Sequence, residues 1–247
     1  MDPILITGLF SKRYGDSEKI SQKILSEVQT SLLINEWYKE KLVFLAGDFY
    51  AANVLENLGL KVHRVFDDAP DFILEEPAFR MKHWMVYQML QDHNEVIWVD
   101  WDTISIKPPD VHFFRYCRKH KTPKFVYIPG YHATVNCSVY YVHRKWLSAM
   151  EKSFMLPTSN PNDELMWLNV LPKEVVQKDG FWWGDYVVNV WLENECSWVT
   201  SNTYFAHVKT FDYYKCLEPL IKKNSCQLKR VPDHMDYEEL NLCLGED

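Results

Sequence analysis

Long apolar runs are missing from this 247-residue chain: no stretch of 18 or more apolar residues occurs, so nothing in it is expected to span a membrane. Glycine is scarce, at eight residues, and no low-complexity segment or internal repeat appears, which excludes collagen-like, disordered and coiled-coil chains. The six cysteines, Cys117, Cys137, Cys196, Cys216, Cys226 and Cys243, contain no C-x-x-C. They form neither a zinc pattern nor a dense disulfide framework, and buried or free thiols of a reducing compartment are expected. G-x-G-x-x-G and G-x-x-x-x-G-K-S/T are both absent, which removes dinucleotide binding and P-loop phosphate transfer. The glycine-rich loop of nucleotidyltransferases is also lacking after the first strand. Bases are outnumbered by acids, 27 to 34, for a net charge of −7. A dedicated nucleic-acid surface is therefore excluded, and an anionic substrate needs a metal ion or local bases. Asp2 stands where a signal peptide would carry positive charge, and the apolar stretch there is short. The expectation is a soluble, cytoplasmic chain, or the catalytic domain of a longer protein.

Hydrophobic residues make up 47% of the chain and aromatics 15%, enough to bury roughly 70–75% of the unfolded surface in one large core. Apolar runs at Ile4–Gly8, Leu42–Gly47, Val62–Phe66 and Val96–Asp100 read as strands. Between them, helices are expected at Ser17–Glu36, at Tyr50–Leu58 closed by Gly59, and from Pro77 to Gln91 behind Glu75 and Glu76. The second half predicts strands at Phe125–Ile128, Ser138–Val142 and Tyr204–Val208, with helices at Lys145–Phe154 and Asp163–Val170. Such alternation indicates an α/β fold with a central mixed, mostly parallel sheet flanked by helices. Residues 229–247 hold six acids against two bases, so this acidic C-terminal tail supplies −4 of the charge and residues 1–228 only −3.

The sharpest local signal is Val96-Ile97-Trp98-Val99-Asp100-Trp101-Asp102, an apolar strand ending in two carboxylates one residue apart. On an extended segment both point the same way and converge on one hard cation, at the edge where open α/β sheets bind ligands. Trp101 between them faces the other side. Dehalogenase-type phosphatases use a D-x-D-x-T/V signature, but Ile104 holds its fifth position and about 95 residues precede this strand, whereas theirs comes first. Metal-dependent glycosyltransferases carry their D-x-D after a nucleotide-binding half of this length.

Over residues 3 to 210 the sequence resembles that family, the GT-A (Rossmann-like nucleotide-diphospho-sugar transferase) glycosyltransferases, in their glycogenin-like and galactosyltransferase-like branches. Four further segments follow in the family's order. Lys82, in Phe79–Gln91, resembles a lysine carried toward the donor diphosphate. Asn136-Cys137-Ser138 resembles an F-N-S/A-G segment, with Ser138 in place of glycine and the Asn136 amide offered to sugar hydroxyls. Asp163-Glu164-Leu165-Met166-Trp167-Leu168-Asn169 resembles the D-Q-x-x-L-N helix start, with Glu164 in place of glutamine. Tyr204-Phe205-Ala206-His207-Val208-Lys209 resembles the strand whose histidine completes the metal site, although the family's Gly and K-P-W are missing and Lys209 or Lys215 must stand in for its lysine.

The resemblance implies one catalytic domain over residues 1–228, with a nucleotide-binding half at about 1–106 and an acceptor half at about 107–228. It implies a sugar moved from a nucleoside-diphosphate donor, UDP-sugar favoured, to a hydroxyl acceptor such as a glycan. Mn²⁺ or Mg²⁺ would be held by Asp100, Asp102 and His207. Donor contacts would come from Thr7, Gly8 and Phe10 at the end of the first strand, with Lys82, Asp100, Trp101, Asn136, Glu164 and Lys209. Asp163 or Asp185 would serve as general base, and the glycogenin-like look leans toward retention. Trp182 and Trp183 offer flat faces for an acceptor sugar. The readings that compete with this one are the dehalogenase-type phosphatase and a non-catalytic carbohydrate-binding module.

Overall fold

The computed structural model describes residues 2–11, 22–35, 37–75, 78–119, 121–127, 135–156, 163–175, 186–190 and 193–208. The chain enters on β1 (Ile4–Leu9), α1 (Gln22–Ile34), the single turn α2 (Tyr38–Lys41), β2 (Leu42–Ala46), α3 (Phe49–Asn57) and β3 (Val62–Arg64). It continues through α4 (Asp71–Leu74), α5 (Ala78–Asp92), β4 (Glu95–Val99), β5 (Thr103–Ser105), α6 (Val111–Arg118), β6 (Lys124–Tyr127) and β7 (Val135–His143). After a short 3-10 turn come α7 (Leu147–Met155), α8 (Asp163–Val170), β8 (Val187–Val190) and β9 (Phe205–Val208).

Six strands form the main sheet in the order β3-β2-β1-β4-β7-β6. β1 pairs in parallel with β2 and β4, and β2 with β3, while β7 runs antiparallel to both neighbours, so five strands point one way. This is the expected mixed, mostly parallel sheet, and its buried strands read as continuous apolar runs because helices cover both faces. Right-handed crossovers explain which helix lies where. The β1-α1-β2 and β2-α3-β3 units wind one way and put α1 and α3 on one face, where Ile24, Val28, Leu32, Ala51, Ala52 and Leu55 form a core with Leu5, Leu9 and Ile97. From β3 the chain returns past β1 to β4, so α5 falls on the opposite face, where Met81, Trp84, Met85 and Val86 pack on Ile6, Val96 and Trp98. The winding reverses between β1 and β4, which makes the carboxyl ends of these two strands the switch point where such sheets bind ligands.

A second sheet, β5-β9-β8, was not foreseen apart from β9. It pairs β5 antiparallel and β8 parallel to β9, and one face packs its own small core of Ile104, Ile106, Val188, Val190, Ala206 and Val208. Helix α6 was not foreseen either; Asp110 caps it, accepting from the amides of His112 and Phe113. The expected helix ending at Leu58 holds: Gly59 takes the left-handed backbone (φ 74°), and the Asp48 carboxylate caps the helix start by accepting from the Ala51 amide. Cys117 and Cys137 are buried thiols.

β7 is longer than expected, and its extra part carries a bulge. Between the pairs Lys124↔Tyr141 and Val126↔Asn136, β6 advances two residues and β7 five. Asn136 Oδ1 accepts from the Ser138 amide two residues on (3.0 Å), an Asx turn that competes with the ladder. The odd excess inverts the alternation: Val139 and Tyr141 join the core under α1, but Val135 and Cys137 join the one under α5.

Candidate active site

At the carboxyl end of β4 the strand does not run on. The amide of Thr103 donates to the Asp100 carbonyl (3.1 Å), closing a turn over Asp100-Trp101-Asp102-Thr103. This corrects the extended geometry expected for the D-x-D. The long-range pairing of β5 with β9 decides it, because Thr103 must lie opposite His207. The two carboxylates therefore enter different surroundings.

Asp100 faces α5. Its carboxylate lies 3.0 Å (Oδ1) and 3.2 Å (Oδ2) from Lys82 Nζ, and Oδ1 also accepts from the Trp98 indole N–H at 2.6 Å. Lys82 reaches Asp163 Oδ2 at 2.8 Å and the Cys137 carbonyl, on the β7 bulge, at 2.7 Å. An ammonium has three protons, and three groups take them here: Asp100, Asp163 and the Cys137 carbonyl. Lys82 is 4% exposed, so it is a buried clamp rather than part of a solvated helix face. Burial disfavours its charge, but the two aspartates outweigh that and raise its pKa.

Asp163 and Glu164 open α8 and are both buried. Burial works against the Asp163 charge, yet Lys82 and the hydrogen bond from Glu164 hold its pKa down at about 2. Glu164 goes the other way, to about 8, through burial and the adjacent Asp163 charge. Asn136 Nδ2 donates to Glu164 Oε1 at 3.2 Å, so the bulge and the helix start, expected to share a site, do meet. His83, beside Lys82, stays neutral because burial lowers its pKa to about 4.

Asp102 faces the small sheet. Its Oδ2 lies 3.1 Å from His207 Nε2, and His207 Nδ1 lies 2.6 Å from Asn189 Oδ1. His207 sits on the central strand, paired with Thr103 on one side and Asn189 on the other, and a one-residue slip would turn its ring to the apolar face. Asn189 is a lone amide in an apolar strand run, the signal that could have found it. Among the described residues no group of three His, Cys, Asp or Glu side chains is assembled for a metal. Asp102 and His207 fit such an ion as two donors with Asn189 behind the imidazole. Asp100 is engaged by Lys82 and Trp98 instead.

The residues expected at the end of β1 are buried. Thr7 is 1% exposed, and Phe10 packs in the α5 core. A Cβ on Gly8 would collide with the Met85 sulfur and stand 2.8 Å from the Trp98 ring, so close helix approach accounts for this glycine. Trp101 is a core residue: it stacks on Phe44 (5.9 Å between centroids, 17°) and its N–H donates to the Gly8 carbonyl at 2.9 Å. Trp182, Trp183, Asp185, Lys209, Lys215 and the 229–247 tail lie outside the described residues. No helix among the described residues is long and apolar enough to cross a membrane.

No protein-family model matches the chain, and no curated protein matches its sequence. Solved structures do match. The apo form of the glycosyltransferase GlyE from Streptococcus pneumoniae aligns at a TM-score of 0.52 and 10% identity, over 90% of this chain and 63% of that one. Mouse xyloside xylosyltransferase 1 aligns at 0.49 and 10% identity over 84% and 97%, and the galactosyltransferase LgtC, solved with donor and acceptor sugar analogs, at 0.46 and 11% over 93% and 97%. At such identities likeness speaks for fold alone, and on the GlyE match and the sheet topology the chain has a GT-A fold.

Proposed function

We propose that the protein is a glycosyltransferase that moves a sugar from a nucleoside-diphosphate donor, UDP-sugar favoured, to a hydroxyl acceptor, a glycan in the first instance. The observation that carries this reading is the meeting of Lys82, Asp100, Asp163, Glu164 and Asn136 beside the Asp102–His207 pair, at the switch point of a GT-A sheet. A dehalogenase-type phosphatase is not favoured by this architecture, since its nucleophilic aspartate belongs on the first strand of the domain and Asp100 follows the fourth. A binding module does not account for Asp163, Glu164 and Lys82 buried together with Asp100 at their edge.

Asp102 and His207, with Asp100 once it exchanges its Lys82 contact, would hold Mn²⁺ or Mg²⁺. Such an ion supplies positive charge against the leaving diphosphate. The chain's own groups do the rest. Lys82 keeps positive charge fixed between Asp100 and Asp163 at the strand ends, preorganised because the lysine and Asp163 are buried. Asn136 orients the Glu164 carboxyl, whose proton affinity lies nearer neutrality than that of Asp163, so Glu164 is better matched to exchange a proton with a sugar hydroxyl. The end of β1 and the aromatic pair Trp182 and Trp183 are the proposed places for the nucleoside and the acceptor sugar.

Thermal melting with UDP, GDP and their sugars, with and without Mn²⁺, tests the reading. Stabilisation by a nucleotide that depends on the metal is expected. Indifference to every common nucleotide sinks the proposal. Stabilisation by free sugar alone points to a binding module, and turnover of an aryl phosphate to a phosphatase.

A further inference from the structure

Asn189 has no place in the proposed chemistry, yet it is a buried residue, 8% exposed, directly beside His207 in the parallel β8–β9 ladder. Its Oδ1 stands 2.6 Å from His207 Nδ1. A carbonyl oxygen only accepts, so Nδ1 must carry the proton there. In a neutral ring this leaves a lone pair on Nε2, which stands 3.1 Å from the Asp102 carboxylate. Two acceptor atoms at that distance repel unless positive charge lies between them. Two further polar atoms flank the ring: Asn189 Nδ2 and Thr103 Oγ1 are buried and lack a hydrogen-bond partner among the described residues. The strands on both sides of His207 thus hold unused hydrogen-bonding capacity.

We infer that Asn189 is the positioning residue of this corner: its carbonyl oxygen fixes His207 as the Nδ1–H tautomer and aims the Nε2 lone pair at the place that Asp102 also faces, making a two-donor cradle for a divalent cation. The inference rests on the metal reading for its purpose, although the grip of Asn189 on the ring is separable from it. Histidines that bind metals characteristically donate their other N–H to such an oxygen, and loss of that partner weakens the metal by roughly 10–100-fold. A hydrophobic residue at position 189 would fill the strand equally well and leave the ring without an acceptor.

Long-range ¹H–¹⁵N correlation spectra of the metal-free chain at alkaline pH read the tautomer directly, with His207→Gln to assign the signal, and Mn²⁺ affinity follows from electron paramagnetic resonance of the free ion. His207 is expected as the Nδ1–H tautomer in the wild type and in Asn189→Asp, whose carboxylate still accepts. Asn189→Leu is expected to lose that tautomer and to bind Mn²⁺ roughly 10–100-fold more weakly. A wild-type His207 in the Nε2–H form overturns the inference, since the amide is then reversed and Asp102–His207 is an ordinary hydrogen bond. Unchanged tautomer and affinity in Asn189→Leu overturn it as well. If that variant does not fold, the wild-type and Asn189→Asp spectra decide. A wild type in the Nδ1–H form that binds no Mn²⁺ overturns the metal reading alone and upholds the grip of Asn189 on the ring.

Discussion

The corner built on the large sheet closes its charges on a buried ammonium, whereas the corner built on the small sheet sets a carboxylate against a histidine that Asn189 holds from behind. Around Lys82 one buried cation is shared by Asp100 and Asp163, and its last proton goes to a carbonyl that the β7 bulge turns inward. Around His207, Asp102 Oδ2 meets an imidazole nitrogen whose ring proton is committed to Asn189. The two corners share the four-residue turn from Asp100 to Thr103, so the difference arises from what each carboxylate meets and not from the D-x-D itself. A closed corner should matter most to stability, an open one to ligand binding.

Lys82→Met breaks the comparison at its strongest point. It leaves two carboxylates without the cation between them, one of them almost wholly buried, and loss of one partner from a buried ion pair costs about 3–5 kcal/mol. Urea denaturation should show the unfolding free energy fall by that amount, as a lower midpoint at unchanged slope, and a loss below about 1 kcal/mol would mean that the corner is not closed. Asp102→Asn probes the other side. Its carboxylate is 20% exposed and faces a histidine, so the urea midpoint should hardly move. Metal-dependent donor binding should disappear in calorimetry, a larger loss than the roughly 10–100-fold that follows removal of an outer partner. Binding that persisted would contradict the metal assignment.

How much of this contrast the sequence carried depended on range. The strands of the large sheet were readable because they are buried on both faces, and Val96–Val99 is an apolar run whichever side one takes. The two aspartates and the order of Lys82, Asn136, Asp163 and His207 were readable as a resemblance. The turn that separates Asp100 from Asp102 was not, since it follows from β5 pairing with β9 about a hundred residues later. Nor was the role of Lys82 as a clamp, which needs the β7 bulge to turn the Cys137 carbonyl toward it. Asn189 stood in plain view in Val187-Val188-Asn189-Val190, but only the parallel register puts it beside His207. Trp101 shows the reverse: alternation alone turned it away from the carboxylates, and the structure has it stacked on Phe44.

Glu164 sharpens the comparison through pH. Its folded pKa, about 8, lies above the ordinary value of 4.5, because burial and Asp163 favour the protonated form. The folded chain therefore keeps a proton that the unfolded chain has lost, and the stabilisation is complete below about 4.5 and is lost as pH rises through about 8. Stability of the wild type should decline across that window, and Glu164→Gln, which cannot ionise, should flatten the decline. Parallel curves for the two proteins would show that Glu164 titrates normally.

Trp101→Phe has the smallest expected effect and tests the turn that the two corners share. The indole N–H anchors the turn to the Gly8 carbonyl at the end of β1, and the ring is 4% exposed against Phe44. Phenylalanine keeps the stack but drops the donor and part of the buried area. The loss of this buried hydrogen bond, which takes from the Gly8 carbonyl its indole donor, costs about 1–3 kcal/mol. If the turn only joins two independent corners, Mn²⁺ affinity and the Glu164 pH window should both stay as in the wild type. A drop in Mn²⁺ affinity at intact pH behaviour would mean that the turn holds Asp102 but not Asp100 in place. The opposite result would place the anchor on the Lys82 side, because Lys82 and Asp163 link Asp100 to Glu164.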